Sequence, residues 1–449
     1  MMHLRQIARA INGSPDRAID GERVEGVSTD SRTLRPGELF FALRGPNFDG
    51  HAFLAAAFGR GAVAAVVEAP GEAAGPLLRV PNVLTALGDL ASAWRMTLAA
   101  RVIAVTGSNG KTTTQSMIAH ILGKDRRGVK PPGSFNNFVG LPMTLLSATP
   151  AAEFIVLEVG TNRRGEIDRL AGIARPDAAV VTSVGEAHLD GLGDLDSIAD
   201  EKVSLLDHVR AGGYAVVHHD PRILDRVRLP LEKVVTFGFS EEADLRPSHV
   251  QSDPLRFEVR GVPFRLALLG EWNALNALAA SAVGMLQGLS LGECARRLED
   301  FRPPKMRMER LELGGISIIN DAYNSNPVSA RGALAEFARL PGCRKIVVIG
   351  DMKELGGRSA TWHRELGRRV AEVRADQVVA VGPECRALVP EIAGAIHVER
   401  VEELEPRIGE LFRPGDLVLL KGSRAVGLEK VVRYIGDLVH RTENAAAFH

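Results

Sequence analysis

Residues 102–114 read VIAVTGSNGKTTT, in which a short apolar run is followed by small residues, one lysine and three threonines. The β-branched run at 102–105 favours a buried parallel strand. Residues 106–110 are small or turn-forming, so their backbone amides can face inward and bind an anion. Apolar residues then recur with helical spacing up to residue 122, which places those amides at a helix N-terminus. The stretch therefore predicts an α/β fold built on a strand, an anion-binding loop and a helix.

The loop departs from the usual phosphate-loop pattern G-x-x-x-x-G-K-[ST] at its first glycine. Val105 stands at that position, and the nearest glycine is Gly107. A lysine and paired threonines still follow, and these supply a mobile positive charge and a hydroxyl ligand for Mg²⁺. We expect a shortened phosphate loop; the alternative is an ordinary glycine-rich turn. The residues expected to bind the nucleotide phosphates are Gly107, Ser108, Asn109, Gly110, Lys111, Thr112 and Thr113.

Composition and charge limit the class of protein. The chain has 449 residues, too many for one hydrophobic core. Lys+Arg and Asp+Glu number 55 each, and this zero net charge argues against nucleic acid as the main partner. Cys294, Cys343 and Cys385 lie far apart without metal-ligand spacing, as is typical of a reduced cytosolic protein. The N-terminus lacks a signal-peptide core and no segment is apolar enough to span a membrane, so we expect a cytoplasmic location.

Three domains are the simplest organisation of the chain. Residues 1–98 predict a smaller N-terminal α/β domain of short strands and alanine-rich helices. Residues 99–305 alternate strands with helices, which favours a central doubly wound parallel sheet, and residues 256–270 read as an added antiparallel hairpin. Pro303 and Pro304 predict a hinge. Residues 306–449 repeat the pattern and predict a Rossmann-like C-terminal domain.

Polar residues that follow apolar runs are candidate ligands, because open α/β sheets bind at the carboxyl ends of their strands. Glu158 ends such a run, where a carboxylate can hold Mg²⁺ or be solvated. His188 also follows a strand, although a lone histidine is more often structural. Asp321 can bind a ribose or cap the helix that begins near Pro327.

Three further polar residues have ordinary structural explanations. Lys202 lies in a helical pattern, where a lysine is normally solvated. Asn273 and Asn276 have the spacing of residues that cap a helix start. The residues alone indicate a magnesium–ATP protein of several domains, and they do not identify its second substrate.

Five segments, in this order, resemble the Mur ligase family of peptidoglycan synthesis. They are TGSNGKTTT (106–114), SFNNFVGLPMTLL (134–146), LEVGTNRRGEI (157–167), TSVGEAHLDGLG (182–193) and EWNALNALAA (271–280). The resemblance covers essentially the full length of the chain and implies that the phosphate loop is of the family's shortened type. The chain departs from it at Trp272, where the family usually has histidine.

Two other segments resemble one branch of that family. DAYNSNP (321–327) and GDMKELG (350–356) resemble the branch that adds D-alanyl-D-alanine to UDP-N-acetylmuramoyl-tripeptide. The Asp-Asn-Pro-Arg signature of the ligase one step earlier is absent from the sequence. The resemblance implies an acyl-phosphate intermediate, formation of ADP and phosphate, a monomer, and a C-terminal domain that binds the dipeptide and closes over ATP. Residues 27–53 resemble the family's UDP-substrate domain.

The resemblance also implies roles for single residues. His188 would help bind a second Mg²⁺, and Lys202 would carry a carbamate that turns a cation into an anionic metal ligand. Arg307 would reach the ATP phosphates and Asp321 the ribose, with Asn273 and Asn276 on the adenine side. The implied catalytic residues are Lys111, Glu158, His188 and Lys202, and the implied metal ligands are Thr112, Glu158, His188 and Lys202.

Substrate contacts follow from the same resemblance. The muramoyl peptide and the dipeptide are expected at Asn136, Asn137, Asn326, Lys421, Ser423 and Arg424, and the uridine at Ser31, Arg32 and Asn47. Other functions remain as alternatives. A sibling ligase for a diamino acid and a folate-polyglutamylating enzyme share this ATP chemistry and are two of them. A phosphate-loop ATPase or kinase without ligation and a nucleotide-binding regulator without turnover are the others.

Overall fold

A computed structural model gives the structure of the chain and describes residues 2–446 except 20, 70, 72 and 343. The predicted three-domain α/β organisation is confirmed, with one main sheet in each domain. Cys343 lies outside the described residues. Among the described residues, no helix is both long and apolar enough to cross a membrane.

The N-terminal domain has a five-stranded sheet in the order β1-β7-β6-β3-β2, in which only β1 runs antiparallel to its neighbour. A two-stranded ribbon, β4 with β5, follows β3. The strands are β1 Ser14–Pro15, β2 Gly26–Ser28, β3 Glu38–Phe41, β4 Arg44–Gly45, β5 Phe48–Asp49, β6 Ala64–Val67 and β7 Leu77–Arg79; the helices are α1 Leu4–Ala10, α2 Leu54–Gly59 and α3 Val83–Thr97.

The central domain has a six-stranded parallel sheet in the order β13-β12-β11-β8-β10-β9. Its inner strands are buried apolar runs, as expected for a sheet covered by helices on both faces. The strands are β8 Arg101–Thr106, β9 Gly128–Val129, β10 Phe154–Glu158, β11 Ala178–Val181, β12 Tyr214–His218 and β13 Val234–Phe237. The helices are α4 Lys111–Leu122, α5 Gly140–Leu146, α6 Glu166–Ala174, α7 Leu189–Leu192, α8 Leu195–Val203, α9 Pro221–Leu224, α10 Trp272–Leu286 and α11 Leu291–Leu298.

The predicted hairpin is confirmed and has a third strand. β14 (Ser248–Ser252), β15 (Leu255–Val259) and β16 (Val262–Leu266) form a small antiparallel sheet beside the parallel one.

The order of the parallel strands creates the binding crevice. β8 lies between β10 and β11, so the chain winds to opposite sides of β8 and the loops after these strands separate. Ligands of open α/β sheets bind at such a switch point, outside the carboxyl ends of the strands. The phosphate loop follows β8 and therefore lies at this point.

The C-terminal domain has a six-stranded sheet in the order β17-β18-β22-β19-β20-β21, with only β17 antiparallel to its neighbour. Its strands are β17 Glu309–Leu313, β18 Ile316–Asp321, β19 Arg344–Gly350, β20 Gln377–Val381, β21 Ile396–Val398 and β22 Asp416–Lys421; its helices are α12 Pro327–Arg339, α13 Ser359–Val373, α14 Ile408–Leu411 and α15 Glu429–Ala446.

Helix α3 fastens the N-terminal domain to the central one. Arg95 on this helix is buried and donates to Asp177 Oδ2 at 2.7 Å, while Trp94 Nε1 donates to the carbonyl of Ala148 at 2.9 Å. Asp177 Oδ2 also accepts the amide of Val102, so the pair orders the start of β8. The domain boundaries at 98/99 and 305/306 stay predictions.

Candidate active site

Two glycines shape the loop after β8. Gly107 has φ +147°, and a Cβ there would collide with Thr182 and lie 2.9 Å from the backbone nitrogen of Ser183. Gly110 has φ +83° and immediately precedes α4. Val105 is fully buried inside β8 and is no part of the loop. The loop is therefore short and passes close to the end of β11. The amides of Ser108 and Asn109 donate to the carbonyl and the hydroxyl of Ser183, each at 2.9 Å.

Lys111 is the first residue of α4 and bends back over the loop. Its Nζ donates to the carbonyl of Gly107 at 2.7 Å. Burial lowers the pKa of the Lys111 ammonium, and the nearby carboxylate of Glu158 partly offsets that effect. An ammonium in this place can neutralise phosphate oxygens that approach the loop.

Glu158 ends β10 and is buried, so the solvated alternative is wrong. Its Oε2 accepts from Thr112 Oγ1 at 2.8 Å and its Oε1 from Asn136 Nδ2 at 2.8 Å. Ser134 Oγ lies 3.2 Å from Thr112 Oγ1. Carboxylate and hydroxyl oxygens therefore meet beside the loop, and such oxygens are the ligands that Mg²⁺ prefers.

Lys202 lies near the end of α8 and is 1% exposed, so the expectation of a solvated lysine is wrong. Burial, followed by the charge of Lys111, lowers the pKa of Lys202 well below its ordinary value. The adjacent Glu201 accepts the amides of Gly165 and Ile167 at the start of α6 instead. Among the described residues, none forms a hydrogen bond or ion pair with the Lys202 ammonium.

His188 meets a carboxylate from the C-terminal domain. Its Nδ1 lies 2.5 Å from Glu354 Oε2. Burial lowers the pKa of His188, and contact with His188 lowers the pKa of Glu354. Both residues have positive φ, +56° and +65°, which is strained for residues other than glycine. The backbone of Glu354 also accepts the amide of Asp190 at 3.2 Å, so this segment joins the two domains.

Two other contacts cross from the C-terminal domain to the loop. Arg307 Nη2 donates to Thr112 Oγ1 at 2.9 Å, and its guanidinium lies 4.3 Å from the ring centre of Tyr323. Asn326 Nδ2 donates to Asn109 Oδ1 at 2.9 Å. These contacts hold the C-terminal domain against the crevice, so groups from both domains face the same space.

Asp321 lies opposite Lys421 where β18 and β22 end side by side. Asp321 Oδ2 is 2.7 Å from Lys421 Nζ, and its Oδ1 accepts the amide of Met308 at 3.1 Å. The capping alternative for Asp321 is wrong, because Asn326 caps α12 and accepts the amide of Ser329. Asp321 instead orders the chain next to Arg307.

The capping interpretation of Asn273 and Asn276 is also wrong, since Glu271 holds the N-cap position of α10. Asn273 Nδ2 donates to the carbonyl of Leu269 at 2.7 Å, and Asn276 Nδ2 donates to Asn273 Oδ1 at 2.9 Å. Asn276 Oδ1 accepts from Thr114 at 3.1 Å. The pair ties α10 to α4.

These groups surround one cleft of about 390 Å³ between the central and C-terminal domains. The predicted residues that line it are Ser108, Asn109, Gly110, Lys111, Thr112, Thr113, Asn136, Asn137, Glu158, His188, Asn273, Asn276, Arg307, Asp321, Asn326 and Lys421. Several lining residues carry a buried polar atom without a hydrogen-bond partner, namely Asn109, His218, Arg307 and Glu336. Such atoms fit a site whose partners come from a ligand.

Other predicted residues lie outside the lining of this cleft. Gly107 and Lys202 are not among the residues that line it, and Lys202 is buried. Ser423 accepts the amide of Lys353 at 3.0 Å, and Arg424 is exposed and lies 3.4 Å from Glu429.

The three uridine candidates lie in the N-terminal domain. Ser31 and Arg32 follow β2, whereas Asn47 lies in the turn between β4 and β5 of the two-stranded ribbon. Arg32 pairs with Asp30, whose pKa it lowers to about 2.

Sequence reasoning missed several residues of the cleft region, among them His218, Tyr323 and Glu336, which line the cleft, and Glu354, which contacts His188. Tyr323 and Glu354 stand within the segments DAYNSNP and GDMKELG, whose resemblance indicates only the branch of the family. His218 ends β12, so the strand-end rule could have found it. Glu336 lies inside α12 and has no local signal.

A buried cluster in the C-terminal domain has the composition of a metal site, namely Asp351, His363 and Cys385. His363 Nε2 already accepts the amide of Met352 at 3.0 Å, and Asp351 accepts the amide of Cys385 and the ammonium of Lys353. The cluster is therefore a satisfied hydrogen-bond network that anchors residues 350–356.

Three family models match the chain. The Mur ligase family catalytic domain matches residues 23–95, the Mur ligase middle domain residues 105–284, and the Mur ligase glutamate ligase domain residues 306–424. The chain is 36% identical to the UDP-N-acetylmuramoyl-tripeptide--D-alanyl-D-alanine ligase of Bacillus subtilis, covering 91% of this chain and 93% of that protein.

Solved structures agree with these matches. MurF from Acinetobacter baumannii superposes with a TM-score of 0.90 at 31% identity, covering 97% of this chain and 99% of that one. MurF ligase from Thermotoga maritima in complex with ADP gives 0.84 at 28% identity, covering 94% and 100%. The similarity extends across all three domains.

Proposed function

Because the chain belongs to the Mur ligase family, we propose that it joins D-alanyl-D-alanine to UDP-N-acetylmuramoyl-tripeptide at the expense of ATP. The products are the amide, ADP and phosphate, and the reaction belongs to peptidoglycan precursor synthesis. The similarity to the Bacillus subtilis ligase over 91% of the chain supports this choice of substrates.

The observation that carries the proposal is the meeting of two domains at the phosphate loop. Arg307 contacts Thr112 and Asn326 contacts Asn109, so groups of the C-terminal domain stand beside the site where a triphosphate would bind. A simple ATPase needs no second domain at that place. A ligase does, because a second substrate must be brought to the transferred phosphoryl group.

The reaction proceeds in two steps. In the first, the carboxylate that ends the muramoyl peptide attacks the γ-phosphorus of ATP; the bond to ADP breaks and an acyl phosphate forms. In the second, the free amine of D-alanyl-D-alanine attacks the acyl carbon, and the tetrahedral intermediate collapses to the amide and releases phosphate. Phosphorylation is needed because a carboxylate has no good leaving group.

The loop and its surrounding cations make the first step possible. ATP and the carboxylate are both anions, so the site must offset their repulsion. Lys111 and the backbone amides at the start of α4 would bind the β- and γ-phosphates, and Arg307 would approach from the C-terminal domain. Contact between the domains also excludes water, which protects the acyl phosphate from hydrolysis.

Mg²⁺ is proposed at two places by family resemblance. Thr112 and Glu158 fit the first, because their oxygens lie 2.8 Å apart beside the loop. His188, with its imidazole kept neutral by the lowered pKa, and a carbamoylated Lys202 are proposed for the second. Bound Mg²⁺ would supply positive charge to the transferring phosphoryl group.

Lys202 fits carbamoylation in its chemistry. A neutral amine adds CO2 and loses a proton to give an anionic carbamate, and the lowered pKa of Lys202 favours the neutral amine. The unmodified ammonium would repel both Lys111 and a metal ion. The modification therefore explains a buried lysine without a partner among the described residues.

The remaining assignments belong to the same proposal. Asn136 and Asn137 would contact the muramoyl peptide, and Asn326 and Lys421 the substrate side of the C-terminal domain. Ser423 and Arg424 are proposed for the dipeptide, and Ser31, Arg32 and Asn47 for the uridine. We also propose that the chain acts as a monomer in the cytoplasm, where its nucleotide substrates are found.

Release of phosphate with each substrate omitted in turn tests the function. The ligase requires ATP, the muramoyl peptide and the dipeptide together, and one amide forms per phosphate. Lys111→Ala should abolish both products, whereas Lys130→Ala, at an exposed lysine, should not. Phosphate release without the dipeptide and without an amide would indicate an ATPase. Amide formation with a diamino acid instead would indicate the sibling ligase.

A further inference from the structure

Helix α12 presents one continuous face to the nucleotide cleft. Ser329, Gly332, Ala333 and Glu336 follow the i, i+3, i+4, i+7 spacing of a single helix face, and all four line the cleft. The first three are small and leave room beside the helix. Glu336 is the long, charged side chain that ends this face.

The N-terminus of α12 marks the phosphate end of the cleft. Asn326, its N-cap, is hydrogen-bonded to Asn109 in the phosphate loop. Glu336 is ten residues further along, about 15 Å away at the usual helix rise. That separation is comparable with the length of an extended nucleoside triphosphate, so Glu336 stands where the base of a nucleotide bound at the loop would lie.

The surroundings of Glu336 suit a planar base. Leu269, Gly270, Trp272 and Leu275 of the central domain line the cleft together with the small residues of α12. Gly270 has φ +88°, and a Cβ added to it would lie 3.9 Å from Cγ of Glu336. The two domains therefore approach each other closely here. The result is a narrow, largely apolar slot with one carboxylate at its edge.

One oxygen of that carboxylate has no partner. Glu336 is 3% exposed, and its Oε1 is buried without a hydrogen bond, whereas Oε2 lies 3.8 Å from Arg339 Nη1. A buried, unpaired carboxylate oxygen is unfavourable unless a ligand supplies a donor. Adenine carries such a donor in its 6-amino group, whereas hypoxanthine and guanine carry a carbonyl oxygen at the same position.

We propose that Glu336 selects ATP by accepting a hydrogen bond from the 6-amino group of adenine and by repelling the 6-oxo group of hypoxanthine and guanine. This inference rests on the proposed function, because it takes the nucleotide to be bound at the phosphate loop. It adds a specificity-determining residue supplied by the C-terminal domain. Base recognition and closure of that domain are thereby coupled.

Nucleotide binding by the purified full-length protein tests the inference with three triphosphates. ATP offers a donor at position 6, purine riboside triphosphate offers no group, and ITP offers an acceptor. The wild-type protein should bind them in the order ATP, purine riboside triphosphate, ITP. Affinities are measured by displacement of a fluorescent ADP analogue, without the muramoyl peptide, so the result does not depend on ligation.

Glu336→Gln separates recognition from structural support. Glutamine has both an acceptor and a donor, so ATP should bind roughly tenfold more weakly, ITP should bind more tightly, and the ATP:ITP ratio should fall at least about tenfold. Arg339→Gln removes the neighbouring cation and should leave the ratio unchanged. An unchanged ratio in Glu336→Gln, or an equal loss for all three nucleotides, would overturn the inference. Amide formation by the same variants is measured separately, and its absence in the wild type would overturn the proposed function alone.

Discussion

Gly107 is the residue at which the phosphate loop passes closest to the neighbouring strand β11. Its positive φ and the nearby Thr182 and Ser183 leave no room for a Cβ. Gly107→Ala should therefore displace the loop and weaken ATP binding roughly 10- to 100-fold, as expected for backbone strain of about 1–3 kcal/mol. Titration with a fluorescent nucleotide measures the change.

Gly212→Ala is the matched control, because Gly212 has φ +82° and no atom lies within 4 Å of the position that a Cβ would take. It introduces backbone strain without steric overlap and lies outside the cleft lining. It should lower the melting temperature slightly and leave nucleotide affinity unchanged. Equal affinities for wild type and Gly107→Ala would contradict the close approach.

Lys202 allows a chemical test of carbamoylation. Lys202→Ala should lower the ligation rate about 10²-fold or more, because an anionic ligand for the metal is lost. The truncation leaves a buried space, so acetate or propionate should restore part of the rate. Lys202→Arg fills the space with a cation and should not respond. Full activity of Lys202→Ala without added carboxylate would exclude the role.

Single residues were predictable where the signal was local. Lys111 and Glu158 follow strands within short, ordered segments, so their places in the crevice could be inferred. Glu336 lines the cleft and Glu354 contacts His188 only because a second domain folds against the first, and no spacing in the sequence encodes that approach. The uridine and dipeptide candidates, such as Arg32 and Arg424, stay predictions.

Helix α12 links stability to the site through its N-cap residue, Asn326. Asn326 caps the helix through Ser329 and also donates to Asn109. Asn326→Ala should lose both functions and lower the free energy of unfolding by about 1 kcal/mol. Asn326→Ser keeps a capping oxygen but cannot reach Asn109.

The serine variant should therefore unfold at nearly the wild-type urea concentration and yet show a raised KM for ATP. Urea unfolding and steady-state kinetics on the two variants give the comparison. Wild-type kinetics in Asn326→Ser would show that the contact between the domains contributes nothing to catalysis.

The strands and helices were predictable because buried parallel strands read as apolar runs with polar ends. The residues at which helices start were harder to predict. Asp321, Asn273 and Asn276 have capping side chains, but Asn326 and Glu271 hold the N-cap positions. The side chains of Asp321, Asn273 and Asn276 make other contacts in the folded protein, and a rule based on local sequence does not predict those contacts.

Gly332 of the C-terminal domain lies against Trp272 of the central domain, and we propose that closure of the C-terminal domain depends on the fit between them. A Cβ at Gly332 would lie 2.5 Å from Nε1 of Trp272. Gly332→Ala should therefore hinder closure and reduce the ligation rate. In a Trp272→Ala background the same change should cost little, giving a clear coupling in a double-mutant cycle.

Gly292→Ala serves as the control for that cycle, since it also adds a methyl group to a helical glycine and meets only Arg296 at 3.8 Å. It should raise stability by up to about 1 kcal/mol and leave the rate unchanged. Additive effects of Gly332→Ala and Trp272→Ala would contradict the proposed fit.

The number of domains was predictable from the alternation of strands and helices, but the boundaries between the domains were not. The boundary placed at residue 98 assigns α3 to the N-terminal domain, although Arg95 on that helix is buried against Asp177 of the central domain. The hinge at Pro303 and Pro304 stays a prediction. Whether two domains approach each other depends on surfaces that the chain assembles only after each has folded.

In the proposed reaction, phosphorus passes from ATP to a substrate carboxylate in the cleft between two domains. Transfer of ¹⁸O tests it directly, using a muramoyl peptide whose reacting carboxylate is labelled at both oxygens. An acyl-phosphate route predicts that each phosphate released carries one ¹⁸O atom and that one amide forms with it. Phosphate released without label, its new oxygen derived from water, would exclude an acyl-phosphate intermediate.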